Sequence, residues 1–258
     1  MNVLTIFCTN NSNNGIRLMQ EEQILLTGGS GLLGFEMQQL LPKAWYPTSS
    51  EFNITHYQQM HDFMADKSIR LIIHAAAFTS PPLIDKEPEK AIDTNIVGTA
   101  NIVKLCIAHQ ARLIYISTDY VFKGDQGNYK EDAPVYPVNK YALSKLGGEC
   151  AVSMYDNALI VRTSFGPNDF PFPKAFIDQW TSRESVRDIA AKIKALVDTE
   201  VTGIVHVGGK RRTVYDYAKS LDESKEIGQL SINEVSFTPP KDTSLDCRYY
   251  DEIVTKKS

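Results

Sequence analysis

The sequence predicts an α/β fold, in which a doubly wound parallel sheet is covered by helices and followed by a small C-terminal lobe. From Gln23 to Ser164, short apolar runs alternate with longer amphipathic segments, which is the pattern of buried parallel strands and their covering helices. A glycine-rich turn joins the first apolar run to the first helical segment. After Phe165 the regular alternation gives way to the proline-rich stretch PNDFPFP, which is typical of a surface loop or lobe boundary.

The predicted strands are short runs of apolar and β-branched residues. They span residues 23–27, 44–48, 70–77, 112–117, 158–164 and 203–209, of which 44–48 is a poor, short strand. The predicted helices have apolar residues three or four positions apart. They span residues 32–41, 56–66, 88–109, 139–154, 185–198 and 213–221, and the first of them ends at Pro42.

These elements divide the chain into three parts. Residues 1–22 contain the loop-forming stretch NNSNNG and are predicted to be an appendage. Residues 23–164 form the sheet domain. Residues 165–258 form the small lobe, and the strand predicted at 203–209 suggests that part of this lobe returns to the main sheet.

Composition excludes several classes of protein. The net charge of −4 is spread along the chain, so that no basic stripe for nucleic acid and no polybasic membrane patch is expected. The cysteines form no C-x-x-C pair, and the histidines show no spacing typical of metal ligands. We find neither a signal peptide nor a run of about 18 apolar residues, and therefore expect a cytoplasmic protein without a membrane span.

The glycine-rich turn predicts a dinucleotide site of the Rossmann type. In TGGSGLLG, the glycines Gly28, Gly31 and Gly34 lie between a strand and a helix. Glycine permits the tight turn and lets backbone N–H groups at the helix N-terminus approach a pyrophosphate. An ordinary strand-to-helix turn is the alternative for a glycine triplet alone.

The end of the second predicted strand bears on the type of dinucleotide. A carboxylate here accepts from the ribose 2′-hydroxyl of NAD and repels the 2′-phosphate of NADP. Thr48 and Ser49 occupy the position instead, so that NADP is favoured, although Glu51 could be the acid if the strand runs longer. NAD therefore remains open.

Tyr141 and Lys145 lie four positions apart, on the same face of a predicted helix. A nearby ammonium favours the phenolate, and we expect it to lower the pKa of Tyr141 so that the phenol can exchange a proton with a substrate oxygen. Thr118 follows a strand whose carboxyl end points to the crevice where open α/β sheets bind ligands. Its hydroxyl is expected to donate to the carbonyl that Tyr141 protonates. His74, by contrast, is expected to be a packed, hydrogen-bonded histidine.

Together these motifs resemble the extended short-chain dehydrogenase/reductases, and in particular their dTDP-4-dehydrorhamnose reductase branch. The resemblance runs from about Gln23 to Asp246 and includes TGGSGLLG, IIHAAAFT, STDYVFKG, the Y-x-x-x-K helix, IVRTS and the late DTSLD. It implies reduction of the 4-keto group of a nucleotide-linked 6-deoxyhexose. The implied cofactor is NADPH, with NAD as an alternative. Sequences that resemble the 4,6-dehydratases have the tripeptide T-D-E at this strand end. Here Tyr120 follows Asp119 instead.

The resemblance and the chemistry of individual side chains together assign the site residues. Thr118, Tyr141 and Lys145 are the expected catalytic triad. Residues expected at the cofactor are Gly28, Ser30, Gly31, Leu32, Leu33, Gly34, Thr48, Ser49, Ala75, Ala76, Ala77, Asn95, Ser117, Tyr141 and Lys145. Residues expected at the substrate are Thr79, Asp119, Tyr120, Phe122, Arg162 and Phe165. For Asn95, structural support of a helix kink is the preferred interpretation, and for Arg162 an ion pair with an acid is an equal alternative.

Two segments depart from the family pattern and leave alternatives open. SPPLIDK replaces an acidic V-D-x-x-E pattern after Thr79, and Phe165 stands where the family usually has tryptophan. A non-catalytic, NADP-binding regulatory subunit, like that of methionine adenosyltransferase, is one alternative; a nucleotide-sugar epimerase or epimerase-reductase is another. Whether the chain forms a homodimer is left open.

Overall fold

A computed structural model describes residues 19–235 and 237–256 of the chain. The strands in this part are β1 (Ile24–Thr27), β2 (Leu71–His74), β3 (Arg112–Ile116), β4 (Ala158–Thr163), β5 (Phe165–Gly166), β6 (Lys174–Phe176), β7 (Trp180–Thr181), β8 (Glu184–Ser185), β9 (Gly203–Val207), β10 (Arg212–Thr213) and β11 (Gly228–Leu230). The α-helices are α1 (Leu32–Leu40), α2 (Tyr57–Met64), α3 (Pro81–Lys86), α4 (Pro88–Ala91), α5 (Thr99–His109), α6 (Lys140–Val152), α7 (Val186–Val197), α8 (Val214–Leu221) and α9 (Arg248–Thr255).

Five strands form one parallel sheet in the order β1-β2-β3-β4-β9, which confirms the predicted fold class. The pairs Leu26↔Ile73 and Ile73↔Ile114 align the centres of the first three strands. Because the strands are parallel, their carboxyl ends meet at one edge, where open α/β sheets bind ligands. The predicted strand at 44–48 contributes only an isolated bridge between Leu25 and Trp45.

Helices cover both faces of the sheet, and each face has its own apolar core. On one face, Met37 of α1 and Ile189 and Ile193 of α7 pack with strand residues. On the other, Met60 of α2 and Leu105 of α5 do so. A fully buried aliphatic side chain contributes roughly 1.5–3 kcal/mol, so these two cores hold the sheet between its helices.

The predicted helix over residues 88–109 is continuous but contains a π-helical segment, Ile92–Gly98, between α4 and α5. By length and composition, Pro88–His109 could cross a bilayer, whereas no apolar run of that length was expected from the sequence. In this fold, however, 44% of its most apolar window is buried, and core helices of water-soluble proteins have the same composition. This run is therefore weak support for a membrane span.

The C-terminal part both extends the sheet and builds a small lobe. β9 is the fifth strand of the sheet, and α7 packs on α1. The lobe has short two-stranded sheets, and its core includes Phe170, Tyr217 and Ile227. The sequence did not predict α3 or α9.

Most of the predicted N-terminal appendage, residues 1–18, lies outside the described residues. The rest of it contacts the sheet domain and α7. The backbone N–H of Met19 donates to Asp198 at 3.2 Å, and the indole N–H of Trp45 donates to the carbonyl of Glu22 at 2.9 Å.

Candidate active site

The turn between β1 and α1 depends on glycine at two positions. Gly28 has φ +81°, and a Cβ atom there would lie 2.8 Å from the backbone nitrogen of Ala76. A Cβ atom at Gly34 would lie 2.5 Å from Cα of Gly29. Larger residues would therefore push the first turn of α1 away from the strand ends.

This turn presents the start of α1 at the carboxyl edge of the sheet. Gly31 caps α1 without a side-chain hydrogen bond, and the first helical bond runs from Phe35 N–H to the carbonyl of Gly31 at 2.9 Å. The N–H groups of Leu32, Leu33 and Gly34 precede it, and the first N–H groups of a helix have no partner within the helix. The side chain of Leu33 belongs to the core, so this residue can offer only its backbone. These groups fit a pyrophosphate.

The segment after β2 lies against the glycine turn. The N–H groups of Ala75 and Ala76 donate to the backbone carbonyl and the hydroxyl of Thr27, both at 3.2 Å. Ala75, Ala76 and Ala77 are half-buried. Their side chains are small, which suits the close approach of a cofactor at this edge of the sheet.

Asn95 supports the same segment from the π-helix. Its side-chain carbonyl accepts from Phe78 N–H at 2.8 Å, and its amide donates to the carbonyl of Phe78 at 2.9 Å and to the Ser144 hydroxyl at 2.8 Å. With 1% of its surface exposed, Asn95 joins the segment after β2 to α6. Its side-chain amide is thus directed at Phe78 and Ser144, within the protein.

The turn expected to hold a 2′-phosphate is already occupied by a carboxylate. Glu51 accepts from the N–H and the hydroxyl of Thr48 at 2.9 and 2.8 Å, and these two bonds lower the pKa of the Glu51 carboxyl. The Thr48 hydroxyl also contacts that of Ser50 at 2.8 Å, and Ser49 is exposed. A negative charge thus sits among the hydroxyls from which NADP was predicted.

Helix α6 buries a polar face against the sheet. Asn139 caps it by accepting from Ala142 N–H at 2.8 Å, and the buried residues then recur at three- and four-residue spacing. These buried residues include Ser144, Lys145 and Glu149. Buried polar groups cost free energy unless they are paired, so this face is built for something other than packing.

Lys145 is 3% exposed, and its ammonium donates to the carbonyl of Ile116 at 2.7 Å. It also lies 4.1 Å from the ring centre of Tyr115. Burial lowers the pKa of Lys145 to about 7, although the nearby Glu149 carboxylate opposes this shift.

Tyr141 and Thr118 are brought together at the end of β3. Thr118 lies close enough to Tyr141 to lower the pKa of its phenol, and the ring of Tyr120 packs edge-on to Tyr141 at 6.4 Å. Burial raises the pKa of Tyr141 above its ordinary value, and the charge of Asp119 adds to this. The expected lowering by Lys145 was therefore wrong for this structure, because desolvation of the phenolate dominates. The phenol is held in its protonated form.

Asp119 lies directly behind Thr118. The Thr118 hydroxyl donates to Asp119 Oδ1 at 3.2 Å, and the Thr243 hydroxyl donates to Asp119 Oδ2 at 2.6 Å. Burial raises the pKa of Asp119, while the bond from Thr243 and the charge of Arg183 lower it. Arg183 also lowers the pKa of Tyr120, which burial raises. Thr118 in turn accepts from Tyr120 N–H at 3.2 Å.

A buried ion pair underlies the triad. Arg162 on β4 contacts Glu149 on α6 at 2.8 Å, and both side chains are 4% exposed. Ser117 donates to the same carboxylate at 2.5 Å. Arg162 was expected either at the substrate or in an ion pair with an acid. The structure shows the ion pair, because the guanidinium contacts Glu149 and also donates to the carbonyl of Glu131 at 3.2 Å. Ser117, expected at the cofactor, is likewise directed at Glu149.

Three further expectations concern side chains at the edges of the site. Phe122 is 1% exposed and stacks on Tyr129 at 4.4 Å, so it belongs to the core and cannot reach a substrate. Thr79 is exposed, and Phe165 is half-buried against the core beside α7.

His74 is fully buried between two threonines. Its Nδ1 is 2.7 Å from the Thr27 hydroxyl and its Nε2 is 3.0 Å from the Thr99 hydroxyl. Burial lowers its pKa to about 3, and the charge of Lys145 acts in the same direction. A neutral imidazole therefore ties β1, β2 and α5 together, as predicted for a packed histidine.

Three residues of this region were not among the predicted site residues: Glu149, Arg183 and Thr243. Glu149 lies four positions after Lys145, and this spacing could have placed both on one helix face. Thr243 belongs to the DTSLD motif, which carried no chemical assignment. Arg183 lies in an irregular segment without a sequence signal.

Comparisons with known proteins identify related chains. The family model described as RmlD substrate binding domain matches residues 22–244. Methionine adenosyltransferase 2 subunit beta of Rattus norvegicus is 26% identical over 282 residues, covering 90% of this chain and 84% of that protein.

Two solved structures share the fold over nearly the whole chain. A hypothetical dTDP-4-dehydrorhamnose reductase from Sulfolobus tokodaii has a TM-score of 0.78 and 32% identity, covering 90% of this chain and 94% of that one. dTDP-4-dehydrorhamnose reductase from Bacillus anthracis, solved in complex with NADP, has a TM-score of 0.78 and 25% identity, covering 91% and 96%.

Proposed function

Because the chain belongs to the RmlD substrate-binding-domain family, we propose that it reduces the 4-keto group of a nucleotide-linked 6-deoxyhexose with NADPH. At the coarser level, the chain is an NAD(P)-dependent oxidoreductase, as its sequence predicts. The observation that carries the finer proposal is the close approach of Tyr141 and Thr118, at the sheet edge that also bears the glycine turn. NAD is the alternative cofactor.

The glycine turn fits the pyrophosphate of such a cofactor. Glycine at positions 28 and 34 lets the turn pack directly against the backbone of Ala76 and Gly29, and the first N–H groups of α1 are left without partners within the helix. When bound, the nicotinamide supplies the hydride. Lys145 would hold the ribose hydroxyls near Tyr141, and Ala75 to Ala77 would line the crevice.

Tyr141 supplies the proton in this proposal. A carbonyl that accepts a hydride must also receive a proton on its oxygen, and the raised pKa of Tyr141 keeps that proton on the phenol at neutral pH. The Thr118 hydroxyl lies beside the phenol and lowers its pKa, which opposes part of the effect of burial.

The residue after Asp119 favours reduction over dehydration. Elimination of water needs a further base at this strand end, and Tyr120 provides an aromatic ring there. Reduction requires a hydride donor, a proton donor and a hydroxyl beside the carbonyl, and Tyr141 and Thr118 meet the protein's part of this requirement.

A spectroscopic assay of nicotinamide oxidation tests the proposal. The purified protein is given NADPH or NADH and a panel of dTDP- and UDP-linked 4-keto-6-deoxyhexoses. Tyr141→Phe keeps the ring and removes the proton, so turnover should fall on the order of 10²–10⁴-fold. Tyr249→Phe, on α9 with 42% of its surface exposed, is the matched control and should match the wild type. Wild-type protein that oxidises neither cofactor with any sugar of the panel would contradict the proposal.

A second candidate is a non-catalytic, NADP-binding regulatory subunit. The similarity to methionine adenosyltransferase 2 subunit beta over 90% of the chain favours it. It predicts a stoichiometric complex with a methionine adenosyltransferase, measured by sedimentation of the two purified proteins. It also predicts that Tyr141→Phe leaves this complex unchanged.

We propose a nucleotide sugar as the small-molecule partner and the cytoplasm as the location. Sedimentation of the chain alone would decide between a monomer and a homodimer.

A further inference from the structure

We propose that Thr243 is a positioning residue, which sets the direction of the Thr118 hydroxyl by holding the Asp119 carboxylate. This inference rests on the proposed function, because Thr118 is its target. It assigns a role to the DTSLD motif, residues 242–246, which the family resemblance left without one. The supporting observations are a chain of hydrogen bonds and the burial of each of its members.

The hydrogen bonds join residues that are far apart in sequence. Thr243 Oγ1 donates to Asp119 Oδ2 at 2.6 Å, across 124 positions. Asp119 Oδ1 accepts from Thr118 Oγ1 at 3.2 Å, and Thr118 in turn lies close enough to Tyr141 to lower the pKa of its phenol. Thr243, Asp119 and Thr118 are 5%, 2% and 6% exposed, so water does not compete freely for these bonds.

The Thr118 hydroxyl has one proton and two neighbouring acceptors. When Asp119 is charged, that proton is drawn to Asp119, which fixes the direction of the Thr118 hydroxyl beside the Tyr141 phenol. When Asp119 is protonated, this attraction is lost, and the Thr118 hydroxyl turns to another acceptor. The protonation of Asp119 therefore decides whether the Thr118 hydroxyl keeps one direction.

Thr243 is held rigidly enough to control this state. Its N–H donates to the carbonyl of Trp180 at 3.2 Å. Next to it, Asp242 accepts from the backbone N–H of Ser244 at 3.0 Å and contacts Arg211 at 2.7 Å. The motif thus presents one hydroxyl to Asp119 from a segment fixed on both sides.

Other groups also face Asp119, and they define the controls. Arg183 contributes a charge from the segment between β7 and β8, and Ser164 contributes a hydroxyl from the end of β4. Tyr120 and Tyr141 are the neighbouring phenols, and the charge of Asp119 raises the pKa of both. The hydroxyl of Thr243 makes a short contact with Asp119, at 2.6 Å, which a single isosteric substitution removes without changing a charge.

The test compares Thr243→Val with Thr243→Ser. Valine keeps the shape and removes the donor, whereas serine keeps the donor. Carboxyl-carbon NMR of aspartate-labelled protein follows the titration of Asp119, and Asp119→Asn identifies its signal. We expect Thr243→Val to raise the midpoint by about one pH unit, which is a tenfold change in proton affinity. Thr243→Ser should restore the wild-type midpoint.

A kinetic measurement completes the test. The acidic limb of the kcat/KM profile for ketosugar reduction should move with the Asp119 midpoint in Thr243→Val, while the Kd for NADPH stays the same. An unchanged Asp119 titration in Thr243→Val would overturn the inference, and so would a shifted titration with an unmoved kinetic limb. Because the NMR measurement needs no substrate, an incorrect ketosugar assignment would be recognised separately, by wild-type protein that titrates as expected and does not turn over.

Discussion

Replacing Arg162 tests whether this residue holds the fold or contacts the substrate. Arg162→Met removes the guanidinium and leaves the Glu149 carboxylate, 4% exposed, with only the Ser117 hydroxyl among the partners described above. Removing one partner of a buried ion pair costs about 3–5 kcal/mol. For a chain of this size, each kcal/mol lowers Tm by roughly 2–4 °C, which gives a fall of about 6–20 °C.

The assay is urea unfolding followed by circular dichroism, with the m-value checked for two-state behaviour. Arg248→Met is the matched control, because it breaks an ion pair with Asp246 in which the arginine side chain is 77% exposed, and it should leave stability essentially unchanged. The double variant Glu149→Leu, Arg162→Met should regain much of the loss, since no charge is left buried. If Arg162→Met unfolded at the wild-type midpoint and raised KM instead, the ion-pair argument would be refuted.

Two further predictions concern the cofactor turn and the buried lysine. Glu51→Gln should increase the affinity for NADP relative to NAD severalfold, because it removes the charge beside Thr48 and Ser49. Fluorescence titrations with both dinucleotides measure the two affinities. Glu89→Gln, at an exposed position, is the control. Equal ratios in all three proteins would place the 2′ substituent elsewhere. Lys145 has a folded pKa of about 7 against 10.5 in water, so the unfolded chain binds more protons between these values and stability should rise with pH there. Lys145→Met should flatten this rise, and an unchanged slope would show that Lys145 stays charged.

The parallel sheet could be predicted because its strands are strongly apolar and regularly separated by helical segments. β1, β3 and β4 begin and end within a residue or so of the predicted runs. The prediction of a strand at residues 44–48 was wrong, because within that segment only Trp45 pairs with β1. Tertiary context, and not local pattern, decided that segment.

The site could be predicted only where its residues are close in sequence. Tyr141 and Lys145 share a helix face, and Thr118 follows a recognisable strand. The contacts of Asp119 with Thr243 and of Arg162 with Glu149 depend on the folded arrangement. The protonation of Tyr141 was misjudged for a similar reason, because helix spacing reveals a neighbouring charge and does not reveal how deeply the phenol is buried.

The π-helical segment Ile92–Gly98 has a consequence for how this chain can change over evolution. An α-helix turns about 100° per residue, and each π turn contains one residue more than an α turn. The extra residue therefore rotates the stretch that carries Asn95 relative to the stretch that carries Ile102 and Leu105. This rotation lets Asn95 reach Phe78 and Ser144 while Ile102 and Leu105 face the core. Loss of a single residue here would swing Asn95 away from Phe78 and Ser144 while sparing the hydrophobic half, so this helix tolerates exchange of its side chains far better than a change in its length.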